Sequence, residues 1–259
     1  EFRELSLRAL DGHLNFLNTK EGDMAFVIGV AAQAQMGKDT LADRLQEKLN
    51  EKHDNKDRLW DRAAFAFNVK KVYADTFGVD QDFIEEWKVK LDEVPPGFDM
   101  PLRKGLQFIG DGFRKIRSTI WVDLCFRDSI PKIISDVRYI NEFTRVNKEG
   151  GLNILIGRPD MLNDDPDGSE AMIKPFVEWA LNNLPNKFNV MVKGDLDALD
   201  LETPPKDMEL FDVFIRNDGT KEELYDIVDT QLVPFVESFV FDFPEKEEQP
   251  KEKECLISN

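Results

Sequence analysis

The chain has 259 residues, with 34 Lys and Arg against 51 Asp and Glu, a formal charge of −17. Nucleic-acid polymers are bound by neutralising their phosphates with basic side chains, so this balance excludes a long duplex and leaves small anions held in a local basic pocket. With His13 and His53 the only imidazoles, three-histidine zinc sites are excluded and a Ser-His-Asp hydrolase is disfavoured. Cys125 and Cys255 build no disulfide framework and point to a reducing, cytoplasmic compartment. No apolar stretch approaches the roughly 20 residues of a membrane span.

Residues 1–24 are polar and mixed and read as an N-terminal extension. The apolar run Ala25–Val30 opens a domain expected to cover 25–241. In chain order, Ala25–Val30, Ala63–Phe67, Lys132–Val137, Leu152–Ile156 and Phe211–Ile215 read as strands. The segments between them carry apolar residues three and four apart, such as Leu41, Leu45 and Leu49, or Phe83, Ile84, Trp87 and Leu91, the helical period. Near-continuous apolar strands alternating with helices predict an α/β fold, a parallel sheet flanked by helices on both faces. The stretch 160–210, rich in Asp, Asn, Pro and Gly, reads as an insertion with one helix around Glu170–Leu184. From Asp242 to Glu254 there are six acids and three bases with Pro244 and Pro250, so 242–259 is expected to be a disordered acidic tail.

Residues 25–45 give a buried strand, a loop and an amphipathic helix beginning near Gly37. In that context the loop N–H groups and the positive end of the helix dipole converge on a phosphate, and a lysine reaches the terminal phosphates of a nucleotide. Against the pattern G-x-x-x-x-G-K-[ST] the chain has Ala32 for the first glycine, then Gly37 and Lys38, with Asp39 in the hydroxyl position and Thr40 after it. Asp39 can bind Mg²⁺ itself, and Thr40 can donate to a phosphate oxygen. The competing interpretation is a turn whose Asp and Thr cap the helix.

Residues 101–117 gather Arg103, Lys104, Arg114, Lys115 and Arg117 against the single acid Asp111, a local +4 in a −17 chain. Guanidinium groups bind phosphate oxygens bidentately and steady charge during transfer. The run Lys132–Val137 ends in Asp136, an acid placed to orient a metal or an acceptor hydroxyl, with Arg138 two residues on. The plainer alternative is a turn cap at Asp136 and an Arg138–Glu142 pair. Trp121 fits either a core residue or a flat surface for a base. Thr220 and Glu223 predict a capping box opening a helix through Leu232.

Taken in order, these motifs resemble the phage-type deoxynucleoside monophosphate kinases of the P-loop nucleoside monophosphate kinase family. Gly37-Lys38-Asp39-Thr40 with Ala42-Asp43 is similar to that family's phosphate loop. The segment ending in Lys70, the helix with Arg103, Gln107, Gly110-Asp111 and Arg114, and then Trp121-Val122 follow. Asp136-Val137-Arg138-Tyr139 with Glu142, Arg158-Pro159 with Ser169-Glu170, and Asn217-Asp218-Gly219-Thr220 complete the series. Asn68 stands where that pattern usually has proline, and Asp167 where it usually has histidine. The resemblance implies a P-loop kinase fold with lid and acceptor-binding helical insertions, acting in deoxynucleotide metabolism in the cytoplasm of a phage-infected host. ATP and Mg²⁺ would be the cofactors and a small nucleotide the substrate, with neither nucleic-acid polymer nor membrane as partner and room for a homodimer. Lys38 and the loop at Gly37 would hold the β- and γ-phosphates, with Asn217 and Gly219 on the adenine side. Asp39, Thr40 and Asp136 would organise Mg²⁺. Lys70, Arg103, Arg114 and Arg138 would bind the acceptor phosphate and stabilise transfer, and Gln107, Trp121 and Glu170 would contact the acceptor. The alternatives are a P-loop kinase of another small acceptor or modified nucleotide, and a catalytically inactive nucleotide-binding regulator.

Overall fold

A computed structural model describes residues 26–52, 59–127, 130–163, 170–191 and 202–240. The expected N-terminal extension and acidic tail lie outside the described residues. A six-stranded sheet runs in the order β2-β3-β1-β4-β6-β5. Its strands are β1 (Val27–Ala31), β2 (Asp61–Ala63), β3 (Lys132–Ile134), β4 (Leu152–Gly157), β5 (Phe188–Val190) and β6 (Val213–Arg216). All pairings are parallel except that of β5 with β6. Every residue of β1 and β4 is buried, as expected of central strands covered on both faces.

The helices are α1 (Lys38–Glu51), α2 (Phe65–Phe77), α3 (Gln81–Trp87), α4 (Leu102–Ile116), α5 (Ile120–Cys125), α6 (Ile140–Lys148), α7 (Glu170–Asn183), α8 (Lys221–Ile227) and α9 (Val233–Val240). A π-helical turn over Val228–Leu232 joins α8 to α9. Helix α1 buries Leu41, Ala42, Leu45 and Leu49 and packs with the C-terminal helices, where Arg44 holds Asp229 through contacts of 2.9 and 2.5 Å. Helices α6 and α7 pack against β4. Four consecutive helices, α2 to α5, fill the connection between β2 and β3.

The expected strand at Ala63–Phe67 requires correction, because the strand is Asp61–Ala63 and a helix begins at Phe65. Five residues of Ala and Phe carry no clear period, whereas Phe65, Val69 and Tyr73, spaced by four and buried together, do. The stretch 160–210 holds the expected helix as α7 and also supplies edge strand β5. The Thr220–Glu223 capping box is present, with Thr220 N–H donating to Glu223 at 2.8 Å and Glu223 N–H to Thr220 at 3.2 Å.

The turn into β4 uses two glycines for different reasons. Gly150 takes φ 73°, which favours glycine. At Gly151 an added Cβ would land on the Val27 carbonyl oxygen and press Val146 at 3.0 Å, so the backbones of β1 and its neighbour meet there only without a side chain. Gly151→Ala is expected to destabilise the protein by about 2 kcal/mol or more. A urea midpoint equal to wild type would contradict that packing.

Candidate functional site

In a parallel sheet the carboxyl ends of the strands lie along one edge, where open α/β sheets bind ligands. There β1 passes into residues 32–37 and then α1. Two loop residues are left-handed, Gln35 at φ 63° and Gly37 at φ 94°, while Ala32 is not among the residues with positive φ. Gly37 caps α1 without any side-chain acceptor, so Asp39 and Thr40 sit in the first turn and do not close it as caps. That leaves first-turn amides and the positive helix end presented along the loop. The loop is fastened from behind. Asn217, buried after β6, donates its amide to the Met36 carbonyl at 2.9 Å and its N–H to Gly157 at 2.8 Å. The fully buried Gln33 accepts the Asn163 N–H at 3.2 Å. Its Nε2, and the Nε of Arg158 beyond β4, are buried with no partner among the described residues.

Two carboxylates face this edge in different states. Burial alone would raise Asp39, yet the Lys38 ammonium at 2.7 Å, the Ser135 hydroxyl at 3.0 Å and the Arg62 charge hold it below its ordinary value. Asp136, one residue past Ser135, turns the other way. Its two oxygens each accept a backbone N–H at 2.8 Å, from Phe65 and from Ala66, at the start of α2. Burial raises its carboxyl against those amides and the charges of Arg138 and Lys38. Glu142 closes the group from below. It is buried, accepts the N–H groups of Arg138 and Tyr139 at 2.8 and 3.1 Å, and is pushed by burial to about 7.

The cations come from four elements. Arg138 lies 3.7 Å from Glu170, whose other oxygen accepts the loop N–H of Ala34 at 3.3 Å, so α7 begins against both loop and arginine. Arg114 rests over the Tyr139 ring at 4.7 Å and reaches Asp111 at 3.3 Å. Its charge also acts on Glu142, beside Asp136. Arg103, Gln107, Gly110 and Arg114 stand at i, i+4, i+7 and i+11 of α4, one face of a helix. Arg103 is therefore about 16 Å along the axis from Arg114. Lys70, on α2, bonds Glu85 of α3 at 2.7 Å; that bond and one from Lys88 hold Glu85 down at about 2.

Lys38, Asp39, Thr40, Asp136, Arg138, Arg114 and Glu170 thus gather around the loop and the end of β3, whereas Arg103 and Lys70 sit further out on the helices between β2 and β3. Trp121 requires correction as an acceptor contact. It is 1% exposed, packs on Phe113 and donates its indole N–H to the Gly110 carbonyl at 3.0 Å, leaving no face for a base. Asn217 spends its amide on the loop. Gly219 makes room for Glu223, whose carboxylate an added Cβ would strike. Both residues therefore act as supports of the loop and of the cap. Arg62 and Ser135 belong to the cluster without having been singled out from the sequence, and neither carried a local signal. Glu142, which the sequence sets beside Asp136-Val137-Arg138-Tyr139, takes the N–H groups of Arg138 and Tyr139 as a capping acid.

No protein-family model and no curated protein sequence matches the chain.

The buried Glu142 makes a pH dependence computable in sign. Its folded value of about 7 exceeds the ordinary 4.5, so between these values the folded state keeps a proton that the unfolded state has released. Stability should therefore fall as pH rises from about 4.5 to 7, a loss on the order of 3 kcal/mol that is complete above that window. Glu142→Gln retains one oxygen for both N–H groups and removes the ionisation. Urea unfolding of the Gln variant should lose this decline and exceed wild type at pH 8; parallel pH profiles would refute it.

Proposed function

We propose that the protein transfers the γ-phosphoryl group of ATP to a deoxynucleoside monophosphate, giving the diphosphate. One observation carries the proposal: the loop 32–37, Lys38 and Arg138 meet at one sheet edge, where both cations act on Asp136. Charge on transferring phosphoryl oxygens is stabilised by positioned cations and amides, so a site without histidine suffices.

In this proposal the loop amides and Lys38 bind the β- and γ-phosphates, and Arg138 with Arg114 orients the acceptor phosphate. The helices between β2 and β3 form the acceptor-binding insertion, with Arg103, Gln107 and Lys70 on its outer reach. Among the described residues no three His, Cys, Asp or Glu side chains gather as a metal cage. Mg²⁺ needs only one or two carboxylates alongside substrate phosphates, so the donor set of Asp39 with its neighbours fits it. When bound, it would neutralise charge between the β- and γ-phosphates. No described helix is long and apolar enough to cross a membrane.

Incubation with ATP, Mg²⁺ and each deoxy- and ribonucleoside monophosphate, with products resolved by chromatography, tests the proposal. A diphosphate should appear with at least one deoxynucleotide, and Lys38→Ala should lower kcat by about 10²–10³. Product from a different small acceptor alone would move the substrate class, and ATP binding without transfer to any acceptor would favour a regulatory nucleotide-binding protein.

A further inference from the structure

We infer that Asp39 and Ser135 exchange the two roles that a nucleotide-phosphate loop ordinarily divides the other way round. The common arrangement takes a hydroxyl from the residue after the loop lysine and a carboxylate from the end of a neighbouring strand. Here the residue after Lys38 is the carboxylate, and the residue that β3 sends to meet it is the hydroxyl. The cation-binding carboxylate is therefore Asp39, with Ser135 and Arg62 as its positioning residues. Asp136, the strand-end acid, serves instead to fasten α2. This deepens the kinase proposal and rests on it.

Strand β3 pairs directly with β1, which brings Ser135 beside the first turn of α1 although the two residues are 96 apart in sequence. Ser135 Oγ lies 3.0 Å from Asp39 Oδ1 and 3.2 Å from an Arg62 nitrogen. Arginine only donates, so Ser135 accepts from Arg62 and its single proton goes to Asp39. Arg62 is itself held on three sides. Its Nε reaches Asp43 at 2.9 Å, one turn beyond Asp39, its NH1 the Ile133 carbonyl at 3.5 Å, and its NH2 lies 3.6 Å from Asp39 Oδ1. Oδ1 of Asp39 is thereby fixed, while Oδ2 is met by Lys38 at 2.7 Å. A nucleotide phosphate that drew Lys38 to itself would free Oδ2 of Asp39, which would then be available to hold the cation. Successive strand-end residues point opposite ways, and Asp136 accordingly has both oxygens committed to Phe65 and Ala66.

The test is calorimetric binding of ATP in excess Mg²⁺ and in EDTA, read as the ratio of the two affinities. Wild type should gain affinity with Mg²⁺, and Asp39→Ser should lose that gain. Ser135→Ala should cut that gain by about tenfold, and Ser135→Thr should restore it. Because the roles are reciprocal, the Asp39→Ser/Ser135→Asp double variant should recover much of the gain that Asp39→Ser loses. A gain untouched by Ser135→Ala, or one removed by Asp136→Asn and not by Asp39→Ser, would overturn the inference. Wild-type ATP binding insensitive to Mg²⁺ would sink it alone, whereas no ATP binding under either condition would sink the kinase proposal with it.

Discussion

The carboxylate of Asp136 on the amides of Phe65 and Ala66 is the constraint from which the rest of the site follows. A charged or partly charged acceptor at a helix N-terminus makes hydrogen bonds stronger than neutral ones and meets the favourable end of the helix dipole. Here both oxygens are used, so the direction of α2 relative to β3 is fixed at its first turn. Tyr73, two turns on, carries that constraint outward. Its ring lies against Gly105 of α4, where a Cβ would come within 2.9 Å, and stacks near Phe77 and Phe98. The helix bearing Arg103, Gln107 and Arg114 is thus positioned from the strand end through one carboxylate and one aromatic contact.

An acidic chain keeps basic residues in order by giving them carboxylate neighbours. Lys38 rests on Asp39, Arg138 near Glu170, Arg114 on Asp111 and Lys70 on Glu85. Pairs of this partly exposed kind contribute only about 0–1 kcal/mol each, so they orient the cations without locking them. A phosphate bound as proposed would offer more charge and more acceptor oxygens than a single carboxylate and would compete for the same donors. Glu170 is the clearest case, because it takes the loop amide of Ala34 and the Arg138 guanidinium together, the two kinds of donor a phosphate would use.

Much of this was legible in the sequence where a signal was local and periodic. Strands β1 and β4 are apolar runs, α1 and α7 have clean helical spacing, and Lys38, Asp39 and Arg138 stand at motif positions. What escaped was short or non-local. Strand β2 is Asp61–Ala63, too brief and too charged to read, and β5 is three residues whose partner β6 lies 23 positions on. Arg62 and Ser135 gain meaning only when β2, β3 and β1 lie side by side, and no spacing in the chain announces that. Trp121, which the sequence left open as a core residue or a flat surface for a base, takes the core role: its N–H finds a helix carbonyl and its ring is buried.

The left-handed residue Gln35 shows why the loop needs its supports. A non-glycine side chain at φ 63° costs about 1 kcal/mol or more, and such strain persists only where neighbouring structure over-determines it. Asn217 supplies that determination by tying Met36 to the end of β6, and it stands so close to Gly37 that a Cβ there would lie 2.5 Å from its amide nitrogen. Gly37 is therefore required twice, for its φ of 94° and for its missing side chain. A loop held in this way presents its amides before any ligand arrives, so an incoming anion need not order them, and the entropy of arranging the donors is spent when the chain folds.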